Sequence, residues 1–283
     1  MVERGGFFGG ATGYRIFTFV KYLVYALLSL NVYLFLQEEL LALDHTFAGG
    51  IEPGQIIQAF AASIDTAAWV ILLLLFELET SVLDDSKITG TVKWSLHGIR
   101  GLCYIAIFYA FTGYYAELVT LYQVTPLSVA DACSLLGQDY SLLLDLDEYA
   151  PLDMANCASI GARQAYQLAG FDIIADSEVL NAARRLAWVD VINSADWILV
   201  CVVLEIEVRL QLRGNLSDQI MKATKFVKFA LYAVLFAAAA YWGYAGSFLD
   251  FWDAALWLFA FIFIELNVFE WQHETSQELA AAA

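Results

Sequence analysis

The chain holds 283 residues, 60% of them hydrophobic and 16% charged, with 14 Lys+Arg against 31 Asp+Glu and a net charge of -17. An ordinary soluble domain is about half apolar and about a quarter charged, so this balance excludes a disordered chain, a nucleic-acid binder and a surface laced with salt bridges. A chain both this apolar and this acidic keeps its charge out of its apolar stretches, as an integral membrane protein does with charge collected in its loops.

A helix needs roughly 20 mainly apolar residues to cross the hydrocarbon. Six stretches qualify: Ile16–Leu36, Ile56–Phe76, Ile99–Val124, Val189–Leu210, Phe226–Ala245 and Phe248–Glu270. Trp and Tyr crowd their ends, as interfaces favour. The Gly-rich start, MVERGGFFGGATGYR, lacks a separate apolar region before a small-residue site, so no signal peptide is expected.

Basic residues set the expected topology. Arg4, Arg15 and Lys21 precede or begin the first span. Lys87, Lys93 and Arg100 lie between spans two and three, and Arg209, Arg213, Lys222, Lys225 and Lys228 between spans four and five. Arg163, Arg184 and Arg185 fall in one long loop, where the charge rule is weak. The positive-inside rule then puts both termini in the cytoplasm of a plasma membrane, a bacterial inner membrane by expectation. The loops Gln37–Gln55 and Thr125–Trp188 face out, with Glu38, Glu39, Asp44, Asp145, Asp147, Glu148 and Asp153.

Cys133 and Cys157 lie in that long loop. An oxidising exterior permits a disulfide between them; the alternative is two free, buried thiols. Cys103 and Cys201 sit within spans and read as small apolar packing residues. Thr125-Pro126 resembles a helix start, Pro151 begins a second periodic run towards Leu168, and Ser177-Glu178 opens a helix that runs on into span four. The expectation for 125–188 is a small helical cap on the outer surface.

An internal repeat organises the spans. Asp65, Asn193 and Asp253 each stand four residues before Trp69, Trp197 and Trp257. Each Trp stands eight before Glu77, Glu205 and Glu265, and Glu79, Glu207 and Asn267 follow two later. The odd spans share a second pattern: FVKYLVYALL and FVKFALYAVL match at six of ten positions, and Lys21, Arg100 and Lys228 precede Tyr25, Tyr104 and Tyr232 by four. Glu77 to Arg100 and Glu205 to Lys228 are both 23 residues, so the inner connections are constant and length varies outside. The fold class read from this is all-α: six transmembrane helices in one membrane domain, arranged as three hairpin repeats (about 15–82, 95–212 and 222–272) with pseudo-threefold symmetry and the extracytoplasmic insertion 125–188.

The depths of these charges match. On a helix turning about 100° per residue, Asp, Trp and the first Glu share one broad face over a rise of roughly 18 Å. Cations entering on odd helices therefore meet carboxylates leaving on even ones. Three contacts are expected near the inner boundary: Lys21, Arg100 and Lys228 against Glu77, Glu205 and Glu265, with the matching left open. Charges in spans usually face the bundle interior and pair. They can clamp hairpins and snorkel, or they can form a gate or relay. Asp65, Asn193 and Asp253, with Tyr25, Tyr104 and Tyr232, are the candidates for a pathway. A buried carboxylate without a cation can carry protons; a hydrogen bond from Tyr or Ser at a helix contact is the plainer role. The Trp residues read as packing.

The search for an enzyme is nearly empty: the sequence has no G-x-x-x-x-G-K-[ST], G-x-S-x-G, H-E-x-x-H or C-x-x-C. His45, His97 and His273 are isolated. Glu77/Glu79 and Glu205/Glu207 point to opposite helix faces, which disfavours a shared metal ion. Three two-helix repeats resemble mitochondrial carriers in bare architecture, but the only prolines are Pro53, Pro126 and Pro151, none in those carriers' signature position. No cofactor, metal or nucleic acid is expected. The partners expected are the lipid bilayer and further membrane subunits or a second copy. The leading expectation is a channel or secondary transporter for a small solute or ion, gated by the inner ion pairs. The rival is a non-catalytic structural or accessory subunit of a membrane complex.

Overall fold

The computed structural model describes residues 11–47, 50–83, 89–127, 132–160, 165–212, 218–245 and 247–264. The chain start, Glu265, Asn267 and the rest of the expected sixth span, and the connections 84–88 and 213–217, lie outside these residues. The described chain is mostly helical. Among the described residues, three helices are long and apolar enough to cross a membrane: Arg15–Thr46, Gly90–Tyr122 and Gln219–Ala245.

Contacts divide the chain into two units, one joining Met1–Asn31 to Ala239–Ala283, the other Val32–Ala238. Helix α1 (Ala11–Thr46) continues well past Leu36, so the loop expected from Gln37 begins as helix. Its stretch Arg15–Thr46 runs 32 residues, roughly 48 Å at 1.5 Å per residue, against a hydrocarbon core of about 30 Å. The excess carries Glu39 and His45 onto neighbouring elements.

The expected second span, Ile56–Phe76, is two helices. They are α2 (Ile56–Ala59) and α3 (Ala61–Glu77), parted at Phe60, whose φ of -134° leaves the helical region. A break of this kind frees backbone N–H groups at the new helix start. Glu39 takes two of them: its Oε1 accepts from Ala62 N at 2.7 Å and Ser63 N at 3.2 Å. The carboxylate also meets the positive end of the α3 dipole. A π-helical segment, Leu78–Val82, closes α3. Helix α4 (Gly90–Tyr122) lies against α2 so closely that a Cβ on Gly113 would sit 2.5 Å from the Ile57 carbonyl oxygen. Glycine is therefore the residue this crossing requires.

The expected helical cap is instead a sheet. Its strands are β1 (Val124–Pro126), β2 (Ser141–Leu143), β3 (Tyr149–Pro151), β4 (Ala165–Leu168) and β5 (Ile173–Asp176), in the order β1-β4-β5-β2-β3. All pairs are antiparallel except β2 with β5. Thr125-Pro126 and Pro151 lie in the two edge strands, where a residue without an N–H costs no ladder bond. Two short 3₁₀ turns, Ala132–Leu135 before β2 and Cys157–Ile160 after β3, are joined by the Cys133–Cys157 disulfide. Ala132, Leu135, Leu142, Ile160 and Ile174 form the core. A core this small gains from a covalent staple. The tight turn from β4 to β5 passes through Gly170 at φ 86°, a conformation few other residues adopt.

Three helices hold this β module. From α1, His45 Nδ1 lies 2.8 Å from Ser141 Oγ with its ring stacked on Tyr149, and Phe47, just past the helix end, meets Phe171 edge-on. Helix α4 passes through Gln123 directly into β1. Helix α5 (Ser177–Leu212) follows β5 without a linker, opening at Ser177 as the sequence predicts. Asp176 Oδ1 caps it, accepting from Glu178 N and Val179 N at 2.7 and 2.9 Å. From α5, Arg184 donates to the Leu121 carbonyl at 2.9 Å and lies over the Tyr122 ring, and Trp188 donates to the Tyr122 hydroxyl.

Helix α6 (Asp218–Ala245) and helix α7, residues 248–264, complete the described chain. Phe226, Phe229 and Phe236 of α6, and Leu102, Ile105 and Phe108 of α4, are exposed.

Tyr149 supplies a test of the module. Burial, then the charges of Glu117 and Asp147, push its hydroxyl well above the ordinary tyrosine value. The stability tied to its neutral form is fully present below the unfolded value, about 10, and is lost as pH rises beyond it, because only the unfolded chain ionises there. Denaturant titrations from about pH 9 to about pH 11 are expected to show a steeper loss for the wild type than for Tyr149→Phe; parallel losses would contradict this.

Candidate functional site

The charges at the ends of α3 and α5 form the most regular polar arrangement in the chain. Arg100 of α4 pairs with Glu79, Nη2 to Oε2, at 2.5 Å, and Lys228 of α6 pairs with Glu207, Nζ to Oε2, at 2.9 Å. In both, the cation follows its carboxylate by 21 residues on the next helix. Side-chain exposures of 32% and 22% for the first pair and 16% and 18% for the second place both partly out of solvent.

These partners differ from the expected ones. Glu205 lies on the exposed side of α5 and pairs with Arg209, one turn along its own helix, at 2.7 Å. Glu77 is buried at the end of α3. The reason is angular: residues two apart on a helix lie about 200° round from each other, so only one of each Glu pair can face the following helix. Lys21 is buried on α1, with Nζ 5.1 Å above the Tyr22 ring, and Tyr22 meets Tyr25 edge-on.

Tyr114 of α4 donates to Asp65 Oδ2 at 3.5 Å, the outer limit for a hydrogen bond. Asn193 is partly buried on α5. Asp253 of α7 accepts a hydrogen bond from Asn31 Nδ2 of α1 at 2.7 Å. Tyr25 is buried, Tyr104 is exposed and Tyr232 is intermediate. Trp69 and Trp197 do meet, their rings tilted with centroids 6.1 Å apart.

Burial agrees at several of the positions that the sequence pattern aligns. Thr66, Ser194 and Ala254 are all buried, and so are Ala68, Asp196 and Leu256. Asp196 is thus a carboxylate where the aligned positions hold Ala68 and Leu256, and its Oδ2 has no hydrogen-bond partner among the described residues. Among those residues, no three His, Cys, Asp or Glu side chains come together as a metal site.

Comparison with protein-family models, curated proteins and solved structures returned no match. The chemistry therefore rests on the residues themselves.

Sequence reasoning did not assign Asn31, Glu39 or Asp196, and it did not name Glu79 and Glu207 as the carboxylates that Arg100 and Lys228 meet. The equal spacing that marked Glu77 and Glu205 marks Glu79 and Glu207 equally well. Asn31 and Asp253 are 222 residues apart, beyond any local signal. Arg209 and Glu205 are 68% and 55% exposed, and such pairs contribute little. Double-mutant cycles in detergent are expected to give a coupling of about 1 kcal/mol or more for Arg100–Glu79 and Lys228–Glu207, and close to zero for Arg209–Glu205. Equal couplings at all three would refute the distinction.

Proposed function

We propose that the chain is a non-conducting integral membrane protein, an accessory subunit that displays a disulfide-stapled β module as a docking unit on the outer face of the membrane. The attachment of that module to α1, α4 and α5 carries this reading. A module held by three helices keeps one orientation towards the membrane, which a docking surface needs and a flexible tether does not supply.

In this reading the six apolar stretches all span, as three hairpin repeats with both termini cytoplasmic. Shared burial at equivalent positions supports the repeat. The large apolar side chains exposed on α4 and α6 support contact with lipid, since soluble proteins seldom leave such faces bare. The Cys133–Cys157 disulfide supports an oxidising compartment for the module. The basic residues of the opposite connections support a cytoplasmic side there. The two ion pairs act as clamps, because each closes on the adjacent helix of its own connection rather than across the bundle.

A channel or secondary transporter for a small solute or ion is the second reading. Asp65 with Tyr114 favours it, since polar groups kept within spans often mark a path. Purified protein in lipid vesicles separates the two. Ion and proton flux is expected to equal that of empty vesicles, for the wild type and for Glu79→Gln with Glu207→Gln. Wild-type flux above that background, altered by the double variant, would replace the first reading by the second.

A further inference from the structure

Asn31 is fully buried on α1, yet only one end of its amide is used. Its Nδ2 donates to Asp253 Oδ1 at 2.7 Å, while its own Oδ1 has no hydrogen-bond partner among the described residues. A buried carbonyl oxygen left without a donor is costly. Asp253, the group that faces it, has no donor as a carboxylate and gains one on protonation.

From this geometry we infer that the Asn31–Asp253 pair is a proton-binding site. A proton taken from hydronium adds to Asp253 Oδ2 and leaves one water behind. The resulting O–H donates to Asn31 Oδ1, while Asn31 Nδ2 continues to donate to Asp253 Oδ1. The two groups then form a cyclic acid–amide pair in which both ends of the amide are satisfied. A metal cation does not achieve this, because binding it through Asn31 Oδ1 and the carboxylate requires the amide to turn and give up the observed bond. The other groups acting on Asp253 are the Trp257 side chain, a hydrogen-bond donor to it, and the charge of Asp250. Asp250 lies one turn earlier on the same helix and accepts from Ser247 Oγ. The site joins the first helix to the last, and it goes beyond either reading of function: a docking subunit would use it to lock two helices, a transporter to couple protons.

Infrared difference spectroscopy of the full chain in lipid vesicles tests the proposal. The wild type is expected to show the carbonyl stretch of a protonated carboxylic acid, shifted in D2O and unchanged when sodium replaces choline. Asp253→Asn removes the band. Asp253→Glu keeps a carboxyl and moves the band, which guards against loss of the signal through misfolding. Asn31→Leu raises its frequency, because the acid loses its acceptor. The inference is overturned if no wild-type band depends on Asp253 anywhere between about pH 5 and about pH 9. It is also overturned if sodium abolishes the band, or if Asn31→Leu leaves it in place.

Discussion

Each of two helix pairs carries a full charge on both helices, and in weakly polar surroundings either charge alone is costly. Arg100 must find Glu79, and Lys228 must find Glu207. Sliding one helix by a single turn, about 5.4 Å, would break the contact. The ion pair therefore sets the register of α3 against α4 and of α5 against α6. The identical 21-residue offset follows from that constraint. The stretches of sequence that connect each pair of helices are short.

With those connections constrained, insertions belong at the other helix ends, and the β module stands at one of them. Its three- and four-residue strands could not hold a fold by themselves. The disulfide, the small apolar core and the ends of α1, α4 and α5 supply what the strands lack. The break at Phe60 serves the same region. It turns the start of α3 towards Glu39, so that a carboxylate from the extension of α1 completes the helix terminus. Length beyond the hydrocarbon, which looks superfluous in α1, thus positions both Glu39 and His45.

Long apolar helices were legible because twenty-odd apolar residues have few alternative structures. The opening of α5 was legible from its cap chemistry, and the pairing of Cys133 with Cys157 from their shared loop. The sheet was not. Ile173-Ile174-Ala175 is a short continuous apolar run, buried throughout, and periodicity cannot tell such a strand from a buried helical turn. The break at Phe60 carries no Gly or Pro to announce it. At the site, spacing revealed that Arg100 and Lys228 needed carboxylates but could not choose between glutamates two residues apart. Asn31 was silent because a single amide in an apolar helix acquires meaning only from its distant partner.

The central claim is sidedness: the module on one face of a membrane and the ion-paired connections on the other. Labelling of single introduced cysteines in intact cells with a membrane-impermeant thiol reagent tests it most directly. Met154→Cys places the probe on an exposed position of the module, and Lys222→Cys places it near the start of α6. The account predicts that Met154→Cys is labelled in intact cells and Lys222→Cys only after permeabilisation. Labelling of both from the same side, or the reverse order, would contradict it.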